Sequence, residues 1–278
     1  MATPNVFINS DFFTNHMDLQ LQHKVIVVSG GAKGIGNGIV NVLATEGAIP
    51  VIIGRDRQDN EAAIAHITSL GASGIAITAE LTDPTACEQA IKTVLNAYGR
   101  IDGLVNNAGL NDGVSLENGN YEGFITSLHR NVVHYYLLAH YALPALKISQ
   151  GAIVNISSKT AETGQGGTSA YAASNGARNA LTREWAVELL KYNIRVNAVI
   201  VAECWTPQYE SWIKTLPDPE AKLNEITQRI PLQHRMTTIE EIANTTVFLL
   251  SAKSSHTTGQ LIHVDGGYVH LDRSLANA

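Results

Sequence analysis

Two hydroxyl-bearing residues thirteen positions apart, Ser158 and Tyr171, and a glycine-rich run, Ser29-Gly30-Gly31-Ala32-Lys33-Gly34-Ile35-Gly36, carry the clearest chemical potential in this 278-residue chain. The run follows the apolar Val25–Val28 and precedes a helical pattern. Glycines at such a turn let backbone approach a pyrophosphate. The helix start behind it offers free N–H groups and the positive end of a dipole. A second apolar segment ends Ile53-Gly54-Arg55-Asp56. In a dinucleotide site a carboxylate at that strand end bonds the ribose 2′-OH, whereas an arginine accepts a 2′-phosphate. Gly54 is not acidic, Arg55 follows directly and Lys33 lies within the loop, so the residues favour NADP, and Asp56 leaves NAD as the alternative. Ser158 ends an apolar run and Tyr171 opens a helical one. Taken singly, Ser158 reads as a strand-end cap, Tyr171 as a half-buried helix residue and Asn131 as a helix polar group.

Such groups need a frame to hold them. From Lys24 onward β-branched runs alternate with helical periodicity, which predicts α/β architecture: a doubly wound, Rossmann-like parallel sheet with helices on both faces. Seven strands are expected, at Val25–Val28, Val51–Ile53, Gly74–Thr78, Gly103–Asn106, Ala152–Ile156, Arg195–Val199 and Leu261–Val264. Helices are expected near Ile35–Glu46, Asn60–Ser69, Thr85–Tyr98, Tyr121–Leu146, Ala170–Leu190 and Ile239–Leu250. Thr237-Thr238-x-Glu240 reads as a capping box opening the last of these. Between Ile200 and Pro231 four prolines break regularity, so this stretch reads as a substrate lid, with a helical insertion as its rival. No repeat or linker is visible, giving one domain over 21–278 after an N-terminal extension, 1–20.

In this order, the motifs resemble the short-chain dehydrogenase/reductase family. The glycine loop has that family's GxxxGxG spacing, with Ser29 where threonine is usual. Glu80-Leu81 stands where the family has Asp and an aliphatic residue beside the adenine. Asn106-Asn107-Ala108-Gly109 matches its NNAG motif, Asn131 its helix-four asparagine, and Thr206 its contact to the nicotinamide carboxamide. The resemblance implies cofactor contacts at Gly30, Lys33, Gly34, Ile35, Gly36, Arg55, Glu80, Leu81, Asn107, Ala108, Gly109, Tyr171 and Thr206. It also implies catalytic work at Asn131, Ser158 and Tyr171. Alcohol oxidation must remove the O–H proton while hydride leaves carbon. Tyr171 would act as general base, Ser158 would hold the substrate oxygen and stabilise its charge, and Asn131 would hold a relay water.

One position departs from the pattern. The family's lysine, four residues after the tyrosine, is Asn175. That lysine bonds the nicotinamide ribose and lowers the tyrosine pKa, about 10 when unperturbed. A unit charge at about 5 Å contributes roughly 3 kcal/mol, or about two pKa units. Asn175 could bond a ribose hydroxyl but supplies no charge. Arg178, on the same helical face, and Lys159, beside Ser158, are the candidate substitutes, each also readable as a surface or structural charge. Restoring lysine at 175 is expected to raise turnover.

Several segments look like the L-fucose-oxidising branch of the family: Asn111-Asp112-Gly113, Ser158–Ala161, Thr163–Ser169, Arg183–Glu188 and Asp265–Arg273. The resemblance implies oxidation of L-fucose or a related aldose at C1 to the lactone. In a polyol pocket, Asp112, Lys159, Gln165, Glu203 and Tyr209 could bond hydroxyls, and Trp205 or Trp212 could stack on a sugar face. It further implies a homotetramer, with the tail after Gly267 packing across a subunit interface. Val201-Ala202 replaces the family's Pro-Gly. A steroid or other alcohol dehydrogenase, and a catalytically silent dinucleotide binder motivated by Asn175, are the alternatives.

Bulk properties narrow the partners. A formal net charge of −6 gives no basic footprint for nucleic acid or an anionic membrane. Two cysteines, far apart, suit a reducing cytoplasm. No stretch has the length of a membrane span and the first residues lack a signal-peptide pattern. The ten histidines show no HExxH-type spacing, so no metal site is expected.

Overall fold

The computed structural model of the protein describes residues 17–271; most of the expected N-terminal extension, and the end of the tail from Asp272, lie outside them. Continuous apolar runs become seven strands: β1 (Val25–Ser29), β2 (Ile49–Gly54), β3 (Ile75–Thr78), β4 (Gly103–Asn106), β5 (Ala152–Ser158), β6 (Arg195–Val201) and β7 (Leu261–Val264). They form one sheet in the order β3-β2-β1-β4-β5-β6-β7, and every adjacent pair is parallel. All five residues of β1 are buried, as a strand covered on both faces requires. The connecting helices are α1 (Gly34–Thr45), α2 (Arg57–Ser69), α3 (Pro84–Tyr98), α4 (Tyr121–Leu128), α5 (His134–Ser149), α6 (Ser169–Glu188), α7 (Pro207–Ile213), α8 (Pro219–Gln228) and α9 (Ile239–Leu250). One core face packs α3, α5 and α6 on the sheet through Val94, Tyr135 and Trp185. The other packs α1, α2 and α9 through Ile39, Ala63 and Val247. The chain winds outward from β1 toward β3 and then, from β4, the opposite way. Its topological switch point is therefore the crevice beyond the carboxyl ends of β1 and β4, where open α/β sheets bind ligands.

Three expectations are corrected. The single helix expected over Tyr121–Leu146 is interrupted by a π turn, His129–Val133, that carries Asn131. Such wide turns are frequent at functional sites. The stretch expected to be irregular from Ile200 to Pro231 contains β6 residues and two helices. Pro207 and Pro219 open those helices at their first turn, behind the capping residues Thr206 and Asp218. A first-turn proline lacks only an N–H that the helix leaves unpaired, so residues read as breakers are starters here. The capping box is one residue later than expected: Thr238 accepts from the Glu241 N–H, and the Glu241 side chain accepts from the Thr238 N–H. Asp56 and Asp83 likewise cap α2 and α3, so these helices begin earlier than apolar periodicity alone suggests.

Candidate active site

The glycine loop sits at the switch point and is fixed from below by Ser29, fully buried at the end of β1. Its hydroxyl accepts from the Asn107 N–H at 2.9 Å and the Ala108 N–H at 3.1 Å. The Asn107 amide donates to the Ser29 carbonyl at 3.0 Å, closing a two-way clamp between β1 and the turn after β4. Gly36 has no room for a side chain, because a Cβ would lie 2.2 Å from the Gly30 carbonyl oxygen. Lys33 at the start of α1 makes no side-chain cap and the first turn carries no acid, so its N–H groups face no competing carboxylate of their own helix. Gly34 lies against Thr206, where a Cβ would stand 3.7 Å from that side chain.

A cleft of about 330 Å³ opens beside the loop, lined by Gly30, Ala32, Lys33, Gly54, Arg55 and Asp56 among others. Asn60 donates to the Gly54 carbonyl at 2.9 Å. A Cβ on Gly54 would meet the Asn60 side-chain oxygen at 2.5 Å, so a larger residue there requires that side chain to move. Lys33 forms a 2.6 Å ion pair with Asp59 on the cleft rim, while Arg55 is exposed and makes no ion pair among the described residues. The donor set fits a dinucleotide, with open helix N–H groups for a pyrophosphate and an available guanidinium at the second strand end. Glu80 is exposed and turned back on Thr82, whose N–H and hydroxyl donate to it at 3.1 and 3.0 Å. Leu81 is buried in the core and Ile35 half-buried against the opposite face.

Ser158 ends β5 and its hydroxyl accepts from the Thr160 N–H at 3.3 Å, capping the short turn Lys159–Ala161. Tyr171 lies half-buried in the first turn of α6. Asn131 is fully buried: its amide oxygen accepts from the Leu110 N–H at 2.8 Å and its amide nitrogen donates to the Ser127 carbonyl at 3.0 Å. Its carbonyl accepts from the Arg178 Nε at 2.8 Å and also from Nη2. The groups expected to hold a relay water are thus occupied by protein.

Asn175 is also placed differently from the expectation. It is fully buried; its amide donates to the Tyr171 carbonyl at 2.8 Å and to the Thr160 hydroxyl at 3.4 Å, and its oxygen accepts from Arg178 Nη1 at 2.9 Å. No part of it is left open to a ribose hydroxyl in this arrangement. Arg178, readable from sequence as a surface charge, is only 3% exposed. It also donates to the Ile156 carbonyl at 3.2 Å and lies 4.4 Å from the Tyr135 ring centre. Gly109 makes room for this guanidinium, since a Cβ would come within 2.7 Å of Nη2.

Beside Ser158, Lys159 is buried and pairs with Glu203 across the mouth of the site. The Lys159 ammonium lies 4.1 Å from the centre of the Tyr268 ring. Burial, followed by the charge and hydrogen bond of Glu203, raises the Tyr209 phenol well above its ordinary range. Tyr209 stands between Trp205 and Trp212, with ring centres 6.1 and 5.1 Å away, and both indoles are more than a third exposed. Asp112 accepts from the Ser127 hydroxyl at 2.9 Å, which links it to Asn131. Gln165 is exposed on the following loop. Tyr268, which the sequence places in the tail expected at an interface and not in the site, reaches Lys159 because the tail turns back after β7, and no local spacing signals that. Asp265 accepts from the N–H groups of Gly267 and Val269 at 2.8 and 2.9 Å, so the described part of the tail folds on its own chain.

A parallel sheet with a dinucleotide-type cleft at its switch point, Ser158 at the end of β5 and Tyr171 in the first turn of α6 defines an α/β oxidoreductase. The family model described as enoyl-(acyl carrier protein) reductase matches residues 30–269. The chain is 33% identical over 245 residues to L-fucose dehydrogenase of Bos taurus, covering 88% of each. It is 34% identical over 257 residues to L-xylulose reductase of Bos taurus, covering 91% of this chain and 99% of that one. Among solved structures, Cj0485 dehydrogenase superposes with a TM-score of 0.89 at 46% identity, covering 93% of this chain and 99% of that one. The chain belongs to the short-chain dehydrogenase/reductase family, whose members use nicotinamide cofactors. No helix among the described residues is long and apolar enough to cross a membrane.

Proposed function

We propose that the protein is a sugar dehydrogenase that oxidises L-fucose or a related aldose at C1 to the lactone, preferring NADP to NAD, as a cytoplasmic homotetramer. The observation that carries the substrate class is the network of the buried Lys159 with the half-buried Glu203 and Tyr209 beside Ser158, faced by the partly exposed Trp205 and Trp212. Fixed charges and hydroxyls at a mouth edged by indoles suit a polyol with one apolar face. A steroid would leave this ion pair desolvated without a polar ligand. Ser158 holds the anomeric oxygen and Tyr171 takes its proton; the nicotinamide, when bound, accepts the hydride. A hemiacetal hydroxyl is more acidic than an ordinary alcohol and best tolerates a base lacking its lysine. Arg178 bonds the Asn175 side chain, whose amide meets the Tyr171 backbone carbonyl, and it is the cation proposed to stand in for that lysine. The glycine at 54 in place of an acid, and an exposed Arg55 with no ion pair among the described residues, support NADP.

The second reading, a silent dinucleotide binder, is favoured by the inward engagement of Asn175. A panel of aldoses assayed with NADP and NAD at pH 7 and 9.5 separates the two. The proposal expects aldose-dependent NADP reduction that Tyr171→Phe abolishes while dinucleotide binding persists. Arg55→Ala should narrow the preference for NADP roughly ten- to a hundredfold, the size of a charge-assisted contact. Firm dinucleotide binding with no turnover of any aldose would establish the silent reading instead.

A further inference from the structure

Away from the dinucleotide cleft, a groove of about 670 Å³ is lined by Glu162, Asn179, Arg183, His263 and His270 among others. Glu162 follows the turn that Ser158 caps, His263 belongs to β7, and His270 belongs to the tail. The His263 Nε2 lies 3.0 Å from a Glu162 carboxylate oxygen. The two imidazole rings meet edge to face with centres 4.3 Å apart. One ligand atom from each of the three residues lies within 4.8 Å of the other two. Glu162 and His270 are exposed and His263 is half-buried, and the Asn179 amide donates to the other Glu162 oxygen at 3.4 Å. Asn179 in turn accepts from the buried Ser157 hydroxyl at 2.7 Å, which ties the cluster to β5.

We infer that Glu162, His263 and His270 bind one transition-metal dication of the zinc type, which staples the C-terminal segment to the turn after Ser158. Two imidazoles and a carboxylate are a borderline-soft donor set of net charge −1, the kind that zinc accepts with a fourth position left to water. Donors about 2.0–2.2 Å from the metal stand roughly 3.4 Å apart in a tetrahedral site, so modest torsions of these side chains bring all three into range. The Asn179 contact is the kind of outer hydrogen bond that orients a metal-binding carboxylate. Arg183 opposes a cation in the groove, but it is outnumbered by three ligands that converge. The staple would act on the site mouth as well. Lys159 and Tyr268, which touch at 4.1 Å, belong to the two segments it joins.

The test uses untagged full-length protein stripped with a chelator and dialysed. Calorimetric titration with zinc chloride should saturate at one metal per chain. Cobalt(II) should give the intense visible bands of a tetrahedral site. Zinc should raise the melting temperature of the parent protein, as a ligand selective for the folded state must. His263→Ala and His270→Ala should each abolish the cobalt bands and the melting shift, and Asn179→Ala should weaken zinc binding about tenfold. Circular dichroism and dinucleotide binding confirm that each variant is folded. Absence of binding at micromolar zinc, a stoichiometry other than one, or binding undiminished in both histidine variants would overturn the inference and leave an ordinary His–Glu pair. None of these readouts depends on aldose turnover.

Discussion

Asn175 and Arg178 work as one unit. The guanidinium nitrogen stands 2.9 Å from the Asn175 amide oxygen, in a space with no water-exposed surface on Asn175. A lysine at 175 would set a second cation against it in low dielectric, where a buried unpaired charge costs about 3–5 kcal/mol. The gain in turnover expected from sequence for Asn175→Lys alone is therefore revised. That variant should unfold at lower temperature and gain no activity. Combining Asn175→Lys with Arg178→Ala should recover most of the lost stability and raise aldose turnover at pH 7 by about tenfold. Thermal melts and initial rates on the two single variants and the double variant check this. A single Asn175→Lys protein that is both stable and faster would show that Arg178 does not share its space.

At the scale of elements, the π turn between α4 and α5 turns Asn131 toward the turn after β4 and leads directly into the buried His134. The His134 ring nitrogen Nε2 lies 3.1 Å from the Arg130 carbonyl, while Nδ1 has no partner among the described residues. Burial, reinforced by the charge of Arg178, pushes its pKa down to about 4. An unfolded histidine protonates near 6.5. Between these values the unfolded chain binds more protons than the folded one, so stability falls as pH drops from about 6.5 to about 4. The loss between pH 7 and pH 5 should be about 2 kcal/mol from this residue. In His134→Gln the fall in urea midpoint over that interval should shrink by the corresponding amount. An identical fall in the variant would assign the acid sensitivity elsewhere.

For the whole molecule, helices α5 and α6 leave Tyr136 and Val187 more than half exposed. Exposed apolar groups on helices that cover one face of the sheet suit contact with further copies of the chain. The proposed tetramer should scatter light at about four times the chain mass of 29.9 kDa. The tail expected to pack across a subunit interface also lies against its own chain, with Tyr268 over Lys159. Truncation after Gly267 should accordingly weaken aldose binding more than it loosens assembly. A truncated protein that turns monomeric while keeping its aldose affinity would restore the interface reading.

The sheet, its parallel sense and the glycine loop were legible in the sequence, because apolar runs and turn residues act over a few positions. Val25–Val28 is buried whatever lies beside it, and Gly36 follows from the loop's own closeness. Ser158 and Tyr171 were legible at a strand end and a helix start for the same reason, whereas Asn131 was placed by the resemblance alone and lies on the π turn that interrupts the expected helix. Other features depended on partners distant in sequence. Lys159 meets Glu203 forty-four residues away, and Arg178 meets the Asn131 carbonyl forty-seven away. Whether such a charge is solvated or buried depends on which surfaces the sheet brings together, and local spacing carries no record of that. The prolines between Ile200 and Pro231 mark helix starts only once their capping residues are in place. The histidine–glutamate cluster exists only because β7 lies beside β6 and the tail turns back. Sequence thus determined the frame and its cofactor end, while tertiary packing decided which ionisable groups face one another.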